Sequence, residues 1–194
     1  MMPDFIRDIL QPMNRQRGDQ LPVSAFVGME DGTFPSGTAA WEKRGIALEV
    51  PVWQPEGCTQ CNQCAFICPH AAIRPALLNG EEHDAAPVGL LSKPAQGAKE
   101  YHYHLAISPL DCSGCGNCVD ICPARGKALK MQSLDSQRQM APVWDYALAL
   151  TPKSNPFRKT TVKGSQFETP LLEFSGACAG CGETPYARLI TQLF

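Results

Sequence analysis

One motif occurs twice in this chain, and it constrains the fold more than any other feature. Its pattern is C-x2-C-x2-C-x3-C-P, and the two copies read CTQCNQCAFICP and CSGCGNCVDICP. All four cysteines, one isoleucine and the final proline coincide when the sequence is shifted by 54 residues, from Cys58 to Cys112. The duplication predicts a core with pseudo-two-fold symmetry.

The cysteine spacing is that of bacterial ferredoxins with two [4Fe–4S] clusters. Three thiolates separated by two residues can hold three corners of one cubane from a short loop, and the fourth cysteine begins a helix that leads to the other cluster. The residues between the ligands are small or polar, so backbone N–H groups can approach the sulfur atoms. We predict one cluster on Cys58, Cys61, Cys64 and Cys122, and another on Cys112, Cys115, Cys118 and Cys68.

Zinc sites and disulfide bonds are the alternative uses of clustered cysteines. Zinc takes four ligands, usually as two separated pairs of residues. A zinc site does not explain why three evenly spaced cysteines, a fourth cysteine and a proline occur in the same order two times. Ten cysteines in 194 residues are too few for a small disulfide scaffold. The N-terminus, MMPDFIRDIL, lacks the basic-then-apolar layout of a signal peptide. We therefore expect a cytoplasmic, reducing compartment, where disulfides are rare.

The overall composition excludes other classes of protein. A net charge of -2 gives no basic footprint for nucleic acid, and no run of about 18 apolar residues suggests a membrane span. A hydrophobic fraction of 44% is typical of a globular chain. We expect neither nucleic acid nor membrane as a partner.

The hydrophobic patterns predict an α+β fold: a ferredoxin-like two-[4Fe–4S] module with pseudo-two-fold symmetry and irregular flanking segments. We interpret residues 75–100, which contain several prolines and glycines, as an inserted loop. His102 and His104 alternate with tyrosines on a predicted strand, and we interpret them as a polar strand face. Strands are predicted at 46–53, 101–107 and 128–134, and helices at 4–17, at 142–150 and after an N-cap at Thr184.

Three segments are predicted along the chain. Residues 1–40 form a connecting arm, residues 41–150 the ferredoxin-like domain, and residues 151–194 a linker with the start of a further, truncated domain. The final helix, YARLITQLF, stops without a capping glycine, which favours a truncated chain; a frayed terminal helix is the alternative.

A third C-x2-C pair, Cys178 and Cys181, lies in the glycine-rich stretch GACAGCGETPY. Alone, this pair is compatible with a redox dithiol, half of a zinc site or half of a third cluster. The surrounding glycines indicate tight turns and close approach to a ligand.

Taken together, these stretches resemble the single-chain pyruvate:ferredoxin, or pyruvate:flavodoxin, oxidoreductases over essentially the whole chain. The cysteine repeat alone would indicate only a ferredoxin-like module, whereas its combination with EFSGACAGCGETPY is specific. The other matching stretches are RGDQLPVSAF, DGTFPSGTAAWEKRGIA, CTQCNQCAFICPHAAIRP, VKGSQFETPLLEFSGACAGCGETPY and ITQLF.

The resemblance implies a role for the C-terminal pair. Cys178 and Cys181 would be two ligands of a proximal [4Fe–4S] cluster beside thiamine diphosphate, with the other two ligands downstream of Phe194. Glu183 would line the thiamine site. The Mg²⁺–pyrophosphate site and the glutamate that activates thiamine would lie in parts that are not present here, so we do not expect this chain to be catalytic alone.

The resemblance also implies a reaction. The complete enzyme would convert pyruvate and coenzyme A to acetyl-CoA and carbon dioxide, and would pass two electrons to ferredoxin or flavodoxin. This chain would be the electron relay, working with the remainder of the oxidoreductase. Another 2-oxo acid as substrate stays open, and the alternative function is a stand-alone two-[4Fe–4S] electron carrier or small subunit.

Overall fold

The computed structural model describes residues 2–194, which divide into two compact units, one ending at Glu42 and the other spanning Lys43–Phe194. The first unit begins with a π-helical turn, Ile6–Leu10, which continues into α1 (Gln11–Asn14). Pro12 lies in the first turn of α1, where a missing N–H is tolerated. Short 3₁₀ turns follow at Gly18–Gln20, Val23–Phe26 and Thr38–Trp41.

In the second unit, each cysteine motif lies between two short strands. The first half contains β1 (Glu49–Trp53), α2 (Gln63–Ile67) within the motif, and β2 (Ile73–Leu78). The connection to the second half contains α3 (Gly80–Asp84) and β3 (Lys93–Pro94). The second half contains β4 (His102–Ile107), α4 (Asn117–Asp120) within the motif, and β5 (Leu129–Ser133). Four α-helices follow: α5 (Leu134–Gln137), α6 (Ala141–Ala149), α7 (Val162–Ser165) and α8 (Thr184–Leu193), with a 3₁₀ turn at Arg138–Met140 between α5 and α6.

The strands pair between the two halves of the repeat. β1 is antiparallel to β5, with Trp53 opposite Leu129. β2 is antiparallel to β4, with Ile73 opposite Ile107, and β3 pairs with the other edge of β4. The strand before each motif therefore pairs with the strand after the other motif. This arrangement confirms the predicted α+β fold.

The core lies where the two halves meet. Its largest members are buried, and the rings of Trp53 and Tyr103 meet edge to face with their centroids 5.7 Å apart. Burial of each such side chain contributes about 1.5–3 kcal/mol relative to exposure. Cys68 and Cys118 belong to the same cluster as Trp53, Ile73, Leu77, Tyr103, Leu105 and Leu129. The cysteine motifs are thus held by the core itself.

The prediction of an inserted loop over residues 75–100 is wrong for its first part, which forms β2 and α3. Pro75 is tolerated because β2 is an edge strand, where a missing donor breaks no ladder bond. α3 begins with a capping box, in which Asn79 and Glu82 each accept from the backbone N–H of the other.

Two smaller expectations also differ from the structure. His104 is buried instead of lying on a polar strand face, because β4 is the central strand of its sheet and is covered there. Thr184 is the first residue of α8, and Glu183 occupies the N-cap position. The predicted strands at 46–53, 101–107 and 128–134 are confirmed. Within residues 2–194, every helix is too short or too polar to span a bilayer.

Candidate metal centres

Four cysteine side chains line one cavity beside the core. Three come from the first motif and the fourth from the second. Trp53, Tyr103 and Leu105 form much of the remaining wall. The indole Nε1 of Trp53 is buried and has no hydrogen-bond partner among the described residues. These cysteines are Cys58, Cys61, Cys64 and Cys122, the set assigned to one cluster from the sequence.

A second cavity repeats this arrangement with the motifs exchanged. Three of its cysteines come from the second motif and the fourth from the first. Pro51 and Ile73 contribute apolar surface, and Gly116 and Asn117 bring the loop backbone close. The cysteines are Cys112, Cys115, Cys118 and Cys68, the set assigned to the other cluster.

The chemistry of both donor sets fits an iron–sulfur cluster. Iron–sulfur clusters are held by four cysteine thiolates, and the cavities each present four. Within the described residues, no three His, Cys, Asp or Glu side chains are arranged to hold a single metal ion. Each set of thiols surrounds a space instead of converging on one point. That they ligate iron stays a prediction.

The two ligand loops have the same backbone geometry. The N–H of Gln60 donates to the Sγ of Cys58, and the N–H of Gly114 donates to the Sγ of Cys112, both with N···S distances of 3.4 Å. Gln60 and Gly114 are 54 positions apart and both have a positive φ, 54° and 72°. Backbone donors aimed at sulfur favour the anionic form, which is the form that binds metal.

The first loop adopts this left-handed geometry without glycine, and buried side chains stabilise it. The side chain of Gln60 exchanges hydrogen bonds with the backbone of residues 94–96 at 2.8 and 2.7 Å. Asn62, with φ 60°, donates to the carbonyl of Lys163 and accepts from the hydroxyl of Tyr103. These bonds offset the cost of the backbone conformation, about 1–2 kcal/mol per residue.

Burial is the main electrostatic influence on the thiols. The pKa of Cys112 is raised to about 12, chiefly by burial and less by the neighbouring Cys68, while the hydrogen bond from Gly114 lowers it. The pKa of Cys64 is raised well above its usual value by burial first and then by Cys118 and Cys58. Because thiolate is the ligand, iron binding must displace protons from these groups. Burial also raises the pKa of Cys68 and Cys118.

Three cations that sequence reasoning missed contact the backbone of the ligands. Lys93 donates to the carbonyl of Cys58 at 3.0 Å, and Lys127 donates to that of Cys122 at 2.9 Å. Arg188 donates to the carbonyl of Cys68 at 2.7 Å, from 120 residues away in sequence. No local pattern identifies Arg188, since only the packing of α8 brings it to the first motif.

The third cysteine pair lies next to the second thiol set. The N–H of Cys181 donates to the carbonyl of Cys178, which closes a tight turn. A methyl group at Gly180 would lie 3.6 Å from the Cβ of Cys115. The backbone N–H groups of Thr184 and Glu183 hold the pKa of Cys181 below its usual value. Glu183 is exposed at the start of α8.

Comparison with protein families identifies two regions of the chain. Residues 57–127 match the family model of the 4Fe-4S dicluster domain. This range contains both cysteine motifs and lies within the second structural unit. Residues 1–47 match a family described as a domain of unknown function.

The chain is similar over its whole length to much longer curated proteins. It is 69% identical to "Pyruvate-flavodoxin oxidoreductase" of Enterobacter agglomerans, over 100% of this chain and 16% of that protein. It is 52% identical to "Pyruvate:ferredoxin oxidoreductase" of Moorella thermoacetica, over 99% of this chain and 16% of that protein. It is 50% identical to "Pyruvate dehydrogenase [NADP(+)]" of Cryptosporidium parvum, over 98% of this chain and 10% of that protein. The chain is therefore homologous, over its full length, to one segment of the pyruvate:flavodoxin and pyruvate:ferredoxin oxidoreductases, and within that segment it has a 4Fe-4S dicluster domain.

Proposed function

We propose that this chain is the electron relay of a pyruvate:ferredoxin or pyruvate:flavodoxin oxidoreductase, with one [4Fe–4S] cluster in each thiol set. The observation that carries the proposal is the crosswise grouping of eight cysteines around two cavities, each with four thiols. Crosswise sharing is the arrangement of two-cluster ferredoxins, and it keeps the clusters close together.

The order of the relay follows from the neighbours of each set. Electrons enter from the side of Cys178 and Cys181, because Gly180 between them packs against Cys115 of the second set. Clusters held there would pass the electrons from the second set to the first, since Cys118 of the second set is close enough to raise the pKa of Cys64 in the first. The first set is thus the exit toward an external ferredoxin or flavodoxin.

Each set of four thiolates would hold a cluster that supplies one-electron transfer when bound. The protein positions the clusters and controls their surroundings. Trp53 and Tyr103 keep water from the first cavity, while N–H groups and nearby cations stabilise the negative charge on sulfur. Burial, hydrogen bonds to sulfur and local charge are the features that set cluster potentials.

The remaining parts of the proposal concern the complete enzyme. It converts pyruvate and coenzyme A to acetyl-CoA and carbon dioxide in the cytoplasm, and two electrons leave through the relay. Cys178 and Cys181 supply two ligands of a third cluster, and Glu183 lines a site for thiamine diphosphate and Mg²⁺. The sequence similarity to the curated oxidoreductases supports this proposal.

Selective loss of electron output tests the proposal. In the complete enzyme, pyruvate and coenzyme A should drive reduction of ferredoxin or flavodoxin. Cys61→Ser and Cys115→Ser should each abolish most of that reduction, whereas Thr59→Ser in the same loop should leave it unchanged. If a variant that has lost a cluster still reduced ferredoxin or flavodoxin at the normal rate, the proposed electron relay would be wrong. If the complete enzyme reduced the acceptor with another 2-oxo acid but not with pyruvate, the proposed substrate would be wrong.

A further inference from the structure

The two halves of the repeat share a cationic contact that is built from unrelated parts of the chain. Arg188 donates to the carbonyls of Phe66 and Cys68, at 2.5 and 2.7 Å. Lys127 donates to the carbonyls of Asp120 and Cys122, both at 2.9 Å. Phe66 and Asp120 are 54 positions apart, as are the two cysteines, so the acceptors are the same in both halves.

The two cations differ in their surroundings. Lys127 is exposed and belongs to the same half as the carbonyls that it contacts. Arg188 is only 2% exposed and comes from α8. A buried charge acts through a lower effective dielectric constant, so its influence on a neighbouring anion is several times stronger than that of a solvated charge at the same distance.

The charge of Arg188 is not neutralised by a carboxylate. In residues 2–194, none of the ion pairs includes Arg188. Its Nη atoms donate to carbonyls, and its Nε is buried with no hydrogen-bond partner in that range. Its electrostatic partner is the side chain of Cys68, which is anionic when it ligates a cluster. A buried cation needs such a counterpart, because an uncompensated charge in the core is strongly destabilising.

We propose that Arg188 is a positioning and charge-compensating residue that raises the reduction potential of the cluster on Cys68, Cys112, Cys115 and Cys118. The inference rests on the proposed function, since it requires clusters in the thiol sets. Reduction adds one negative charge to a cluster that is already anionic. A buried guanidinium beside a ligand stabilises the reduced form more than the oxidised form, which makes this cluster the easier to reduce.

The position of α8 gives this charge a place in the relay. The helix begins three residues after Cys181, and Arg188 lies one turn further on. The same helix therefore connects the third cysteine pair to the cluster that receives its electrons. Docking of α8 supplies the charge that favours this transfer, so the potential depends on a segment outside the dicluster domain.

The test compares cluster potentials in matched variants of the full chain, by redox titration monitored with EPR under anaerobic conditions. Arg188→Gln should lower the potential of one of the two reduction waves by at least about 59 mV. For one electron, this shift corresponds to a tenfold change in the equilibrium constant of reduction. Arg188→Lys, which keeps the charge, should shift it less. Lys127→Gln removes the pseudo-equivalent exposed charge and should move the other wave by a smaller amount. A Cys115→Ser variant identifies the wave that belongs to the second thiol set.

Iron content separates failure of this inference from failure of the proposed function. A wild-type chain without two clusters would overturn both. If Arg188→Gln kept both clusters and both reduction potentials were unchanged, only the role of Arg188 would be overturned. The same conclusion would follow if Lys127→Gln shifted a potential as much as Arg188→Gln does. If Arg188→Gln loses iron, Arg188→Met fills a similar volume without charge, and the same tenfold shift is expected of it. Loss of iron from both uncharged variants but not from Arg188→Lys would show a structural role and would also overturn the tuning role.

Discussion

In both ligand loops, the residue two positions after the first cysteine has a left-handed backbone and donates its N–H to that cysteine's sulfur. In the second motif this is Gly114, whose φ is 72° and whose Cα faces the backbone of β1. A Cβ there would lie 2.9 Å from the carbonyl oxygen of Glu49 and 3.2 Å from the Cβ of Ala47. Gly116, in the same loop with φ 80°, has open space instead. Both glycines are therefore required for a left-handed backbone, but only Gly114 is also required for close packing.

Alanine substitutions at these two glycines distinguish the two costs. Gly116→Ala should destabilise the chain by about 1–2 kcal/mol, the cost of a left-handed residue. Gly114→Ala adds overpacking of about 1–3 kcal/mol, since backbone blocks the new methyl group. The apparent Tm, followed by loss of visible absorbance without oxygen, should therefore be at least about 2 °C lower for Gly114→Ala than for Gly116→Ala. Equal values would show that β1 does not limit the loop.

At the scale of elements, the sequence predicted the strands beside the motifs better than it predicted the connection between them. β1 and β4 were recognisable from their β-branched or aromatic residues, whereas Pro75 concealed β2. Proline is incompatible with a central strand but is tolerated in an edge strand. Whether β2 lies at an edge depends on strand pairing in the folded chain, which local sequence does not show. His104 was assigned to a polar face for the same reason, since strand order decides what covers β4.

The burial of His104 makes the stability of β4 dependent on pH. Burial lowers its pKa to about 4, although the Nδ1 atom contacts the carbonyl oxygen of Leu91 at 2.7 Å. The unfolded chain, with a pKa of about 6.5, binds the proton first as the pH falls. The folded state therefore loses stability from pH 6.5 down to about 4, by up to about 3 kcal/mol.

A variant without this imidazole isolates its contribution. His104→Asn can still donate to the carbonyl of Leu91 but does not titrate in this range. Between pH 7.5 and 5.5, the apparent Tm should fall further in the wild type than in His104→Asn, by about 3 °C. Parallel decreases in both proteins would mean that His104 does not provide the pH dependence.

At the scale of the whole molecule, the repeat accounts for most of what the sequence could predict. The cysteine spacing predicted which thiols the structure gathers around each cavity, because the chemistry of a cubane constrains ligands on short loops. It could not predict the contacts from the C-terminal segment, such as Arg188 against Cys68 or Lys163 against Asn62. These contacts join residues more than 100 positions apart, and no local pattern encodes them. The predicted division into three segments stays a prediction.

The central claim is that the two motifs exchange their fourth cysteines, and iron retention in paired variants tests it most directly. Cys61→Ser/Cys122→Ser removes two ligands from one proposed cluster, so the reconstituted chain should keep one intact [4Fe–4S] cluster, with about four irons and a normal EPR signal on reduction. Cys61→Ser/Cys68→Ser removes one ligand from each cluster and should perturb both. The reverse outcome, with one intact cluster only in Cys61→Ser/Cys68→Ser, would show that each motif binds its own cluster and would contradict the account.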